Sequence, residues 1–82
     1  MEHMKQLAAA LSAVTGIERQ QLAAYLETPP DPAMGDIALP CFRLAKTMKK
    51  APNAIAADLA ARVALPPGIA RVEAAGGYLN FY

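Results

Sequence analysis

Eighty-two residues make one small domain, and a chain this short buries only about 60% of the surface that its unfolded form exposes. Alanine accounts for 19 residues, so the 55% hydrophobic content overstates the volume available to a core. Eight basic against seven acidic side chains leave a net charge of +1, which excludes polyanion recognition through overall charge and leaves it to local patches.

Met4, Leu7, Ala8, Leu11 and Val14 recur at helical spacing and predict an amphipathic first helix. Gly16 ends it, because glycine tolerates the left-handed conformation found at helix C-termini. Leu22, Ala24 and Leu26 alternate, which predicts a short strand over Leu22–Glu27. Thr28-Pro29-Pro30-Asp31-Pro32 must be loop, since its three prolines remove three backbone donors. The loop closes near Gly35-Asp36, and Ile37–Leu39 returns as a second strand. Pro40 opens a helix carrying the stripe Cys41, Leu44, Ala45 and Met48. Pro52 opens another, with Ile55, Ala56, Leu59, Ala60 and Val63 inward, and Pro66-Pro67-Gly68 stops it.

Gly76-Gly77 between Ile69–Ala75 and Tyr78–Tyr82 is the signal of a two-residue hairpin. That loop sets Ala75 opposite Tyr78, Ala74 opposite Leu79, Glu73 opposite Asn80 and Val72 opposite Phe81. Val72, Ala74, Leu79 and Phe81 then share an apolar face. Arg71, Glu73, Tyr78, Asn80 and Tyr82 share the other. The expected fold is a single α+β domain over residues 1–82, in two layers. A small, mainly antiparallel sheet of up to four strands carries its helices on one face, in the order α-β-β-α-α-β-β.

The chemistry is that of a binding module. Cys41 is the lone cysteine and His3 the lone histidine, which excludes an internal disulfide and a cysteine or histidine metal cluster, and fits a reducing compartment such as the cytoplasm. No apolar run approaches the ~20 residues that cross a bilayer, so no membrane partner is expected. Asp31 and Asp36 belong to a Pro/Gly loop, where short acids bond backbone amides. Cys41 sits on an apolar stripe, as a small buried hydrophobe does. No catalytic signature is present.

Two features remain. Arg43, Lys46, Lys49 and Lys50 fall within roughly 120° of a helical wheel, opposite the apolar stripe. They form either a solvated face or one that meets phosphates. Tyr78 and Tyr82 present flat rings on one strand face with the Asn80 amide between them. Aromatic planes for stacking and an amide for a base edge are what single-stranded and looped RNA is read with. The same rings would also serve to pack against another domain.

Pro32 through Gly35-Asp36, Leu44-Ala45-Lys46, Lys50-Ala51-Pro52, Ile55-Ala56 and Gly77-Tyr78-Leu79-Asn80-Phe81 occur in an order that resembles the N-terminal additional domain of arginyl-tRNA synthetases. The resemblance covers roughly residues 5–82. It implies a two-layer α+β domain that docks on the elbow of tRNA-Arg and contacts its D-loop. Tyr78 would stack near a D-loop nucleotide and Asn80 would contact it. Tyr82 and the basic residues Arg43, Lys46 and Lys50 complete the expected RNA-binding set. Ala75 stands where some members carry a further polar contact, and Tyr78 where phenylalanine is usual. The catalytic HIGH-type and KMSKS-type sequences are absent, so the fragment is not expected to be an enzyme. It is expected to be a piece of a longer cytoplasmic arginine–tRNA ligase that uses ATP with magnesium, the domain itself taking no cofactor. Its partners are then tRNA-Arg and the remainder of that chain. The alternative is a protein-interaction or interdomain packing module without RNA contact; a freestanding small-molecule regulatory domain has only the α+β pattern behind it.

Overall fold

The computed structural model describes residues 2–31, 33 and 35–82; the expected loop residue Pro32 lies outside them. Helix α1 (Glu2–Thr15) buries Leu7, Ala8 and Leu11 on the predicted stripe. Gly16 ends it at φ 76°, and its N–H donates to the Ser12 carbonyl at 2.9 Å. Two hydroxyls fix the turn that follows. Ser12 Oγ donates to the Ile17 carbonyl at 2.6 Å, and Thr15 Oγ1 accepts the Ile17 N–H at 3.1 Å.

The segment expected as a strand is instead helix α2 (Arg19–Tyr25). Alternation of Leu22, Ala24 and Leu26 was misleading because Leu22 and Leu26 also stand four apart. The structure buries both through that helical spacing and leaves Ala24 exposed. Extended pairing survives only at Glu27, whose N–H and carbonyl exchange hydrogen bonds with Ala38 at 2.9 and 2.8 Å.

Strand β1 (Ile37–Pro40) follows the proline-rich loop, as predicted. The single helix expected after Pro40 is broken into a 3-10 turn (Cys41–Arg43) and a short helix α3 (Ala45–Met48). Lys49 closes α3 in the left-handed conformation, at φ 55°. The cause lies just downstream. Pro52 disfavours helical backbone at Ala51, which is extended, so the chain must turn before it. Helix α4 (Pro52–Arg62) then starts with proline in its first turn and buries Ile55, Ala56 and Leu59.

Strands β2 (Val72–Ala75) and β3 (Tyr78–Phe81) form the predicted hairpin in the predicted register, with Ala75 opposite Tyr78 and Val72 opposite Phe81. Beyond the strand ends, Tyr82 N–H donates to Arg71 and Ala70 N–H to Tyr82, at 3.0 and 2.8 Å. The sheet order is β1-β3-β2, wholly antiparallel, so β3 is central. Ile37, Leu39, Leu79 and Phe81 join Leu7, Leu11, Leu22, Ile55 and Leu59 in one core. The helices therefore cover one face of the sheet, giving the expected two layers.

Candidate functional site

The face of the sheet turned away from the helices is built from alternate residues. Ala38 and Pro40 come from β1, Tyr78 and Asn80 from β3, and Glu73 and Ala75 from β2. Register places Ala38, Asn80 and Glu73 in one row across the sheet, and Glu27 extends that row through its bridge to Ala38. Pro40, Tyr78 and Ala75 form the next row.

The proline-rich loop runs back along this face. Pro29 and Pro30 share a shallow concavity with Glu27, Ala38 and Tyr78. Asp31 accepts the Ala33 N–H at 3.0 Å, a turn role for that carboxylate. Farther on, Gly35 takes φ 97° against the Phe81 backbone, and Asp36 N–H donates to the Phe81 carbonyl at 2.8 Å.

The three expected side chains, Tyr78 and Asn80 of β3 and Tyr82 just past it, differ in freedom. Tyr78 is half-buried, and its ring meets Phe42 edge to face, centroids 6.1 Å apart. Asn80 is 2% exposed, and its Oδ1 has no hydrogen-bond partner among the described residues. A buried amide oxygen left without any donor costs about 1–3 kcal/mol. Tyr82 is engaged twice. Its hydroxyl donates to the Ala33 carbonyl at 2.9 Å, and the Arg71 guanidinium lies 4.0 Å from its ring centre, itself paired with Glu73 at 3.2 Å.

The basic residues do not form one helical arc, because the 3-10 turn and the left-handed Lys49 divide them. Arg43 sits on the 3-10 turn, Lys46 in α3 and Lys50 just past it, all exposed. Among the described residues none of the three joins an ion pair; the two pairs present are Arg62–Asp58 and Arg71–Glu73. Of the three, Arg43 is tied to the aromatic side chains, its guanidinium 5.7 Å from the Tyr25 ring centre and 5.8 Å from that of Phe42. Tyr25 and Phe42 were missed by sequence reasoning. Phe42 had a visible signal, an aromatic lying off the apolar stripe of its segment, and it is 53% exposed.

Cys41 is buried, and burial pushes its thiol up from 9.0 to about 11, which disfavours the thiolate a nucleophile needs. The face thus offers aromatic planes and a cationic edge, with a buried amide oxygen that has no partner among the described residues. That is equipment for binding rather than bond breaking.

The family model for the arginyl tRNA synthetase N terminal domain matches residues 2–82. The arginine–tRNA ligase of Alkaliphilus metalliredigens is 48% identical over 69 residues, covering 84% of this chain and 12% of that ligase. The arginine–tRNA ligase of Clostridium perfringens is 45% identical over 82 residues, all of this chain and 14% of that ligase. Among solved structures, Thermus thermophilus arginyl-tRNA synthetase aligns with a TM-score of 0.70 at 30% identity, over 95% of this chain and 13% of that one. The chain therefore spans only 12–14% of the length of these relatives.

Proposed function

Because this chain belongs to the arginyl-tRNA synthetase N-terminal domain family, we propose that its helix-free sheet face binds tRNA-Arg at the elbow and D-loop. In this reading it supports arginine attachment by the catalytic part of a longer, cytoplasmic arginine–tRNA ligase. Tyr78 supplies the stacking plane and Asn80 the polar group for an unpaired nucleotide. Arg43, Lys46 and Lys50 supply the approach to phosphates. The observation that carries the reading is the aromatic pair of half-buried Tyr78 and exposed Phe42, set edge to face beside Arg43, which joins no ion pair among the described residues. Aromatic planes beside a cation are what an unpaired nucleotide and its phosphate are bound with.

ATP with magnesium, which such a ligase consumes, belongs in this reading to the other part of the chain. No group of three His, Cys, Asp or Glu suited to a metal ion occurs among the described residues. A second reading has one observation in its favour. Phe42, 53% exposed, could pack against the remainder of the longer chain. Aminoacylation by the full-length ligase separates the two. Tyr78→Ala raises the KM for tRNA about 5- to 100-fold if the ring stacks on a base. An unchanged KM with a lowered Tm would favour packing.

A further inference from the structure

Resting on the RNA-face reading, the geometry points to a phosphate subsite that extends it: Arg43, braced by Tyr25 and Phe42, grips the RNA backbone beside the nucleotide stacked on Tyr78, and Phe42 bounds that nucleotide at its margin.

Arg43 is placed for this in three ways. Its guanidinium carbon lies within cation–π reach of two rings, at 5.7 Å from Tyr25 and 5.8 Å from Phe42. Tyr25 is itself oriented, since its hydroxyl accepts a hydrogen bond from Gln21 Nε2 at 2.9 Å. Ring contacts take no hydrogen bond in the guanidinium plane, so the N–H groups of Arg43 stay available for the two parallel bonds a phosphate accepts. Among the described residues no carboxylate pairs with Arg43.

Phe42 links this cation to the stacking residue. Its ring stands at 77° to that of Tyr78, so the two planes make a corner rather than a slot. A base lying on one plane meets the other at its margin, with its backbone toward Arg43. Exposed Lys46 and Lys50 add charge on the same segment, which suits a polyanion better than an apolar protein surface.

Titration of a fluorescent tRNA-Arg transcript with the chain, repeated over a range of KCl concentrations, tests this. Arg43→Gln weakens binding about tenfold and lowers the slope of log K against log salt by about 0.7–0.9, the loss of one phosphate contact. Arg43→Lys retains the slope but loses several-fold in affinity, because an ammonium cannot fork. Phe42→Ala weakens binding and leaves the slope unchanged. Should Arg43→Gln keep the full slope while Tyr78→Ala still weakens binding, the subsite is overturned and the RNA-face reading stands. Tyr78→Ala binding as tightly as the unsubstituted chain, or no binding by that chain at all, overturns both.

Discussion

The hydroxyl of Tyr82 donates to the carbonyl of Ala33 at 2.9 Å, so the last residue of the hairpin anchors the proline-rich loop across the helix-free face. With Arg71 against its ring, Tyr82 is a structural tie more than a free stacking plane. Tyr82→Phe removes the tie and keeps the ring. It is expected to cost about 0.5–1 kcal/mol in urea unfolding while leaving tRNA affinity within twofold. A large loss of affinity with unchanged stability would return Tyr82 to the contact surface.

Glycine is required at Gly35 and only preferred at Gly16. Both have positive φ, but a β-carbon at Gly35 would lie 2.5 Å from the Phe81 carbonyl oxygen, whereas at Gly16 it meets nothing within 4 Å. Gly16→Ala is expected to cost about 1–2 kcal/mol from backbone conformation alone. Gly35→Ala adds a clash with the central strand and should lower Tm substantially more. Equal Tm losses would contradict the packing of the loop against β3.

Asn80→Ala should separate stability from binding. Among the described residues Oδ1 has no donor to lose, so the free chain is expected to be as stable as before or more so, by up to about 1 kcal/mol in urea unfolding. The tRNA affinity is expected to fall. Loss of both together would mean that the amide serves the fold.

The raised thiol of Cys41 gives a signed pH dependence. An unfolded chain loses this proton near 9.0, while the folded one holds it to about 11. Within that window the unfolded state binds fewer protons, so stability falls as pH rises, by at most about 1.4 kcal/mol per unit. Below it the group contributes no slope. The difference in unfolding free energy between the chain and Cys41→Ala should therefore change between pH 9.0 and about 11 and be flat below. A flat difference throughout would contradict burial of the thiol.

The hairpin was legible down to its register, because Gly76-Gly77 fixes the turn and side-chain alternation then leaves no freedom. Helix α4 was legible from Pro52 and its apolar spacing. Helix α2 was not, since Leu22 and Leu26 satisfy both periods over so short a segment and only burial against α1 decides. The candidate site was half legible. Tyr78, Asn80 and Tyr82 follow from strand alternation, but the burial of Asn80 depends on a loop that folds back over the sheet. The clustering of Tyr25, Phe42 and Arg43 is tertiary, bringing α2 beside the 3-10 turn, and no local pattern announces it.

The most direct test is nuclear magnetic resonance of the isotope-labelled chain titrated with tRNA-Arg. Resonances of the Asn80 carboxamide, Tyr78, Phe42 and Arg43 should shift, while those of the outward residues of α1 remain in place. Shifts confined to the helical layer, with the Asn80 carboxamide unmoved at saturation, would contradict the assignment of this sheet face to RNA.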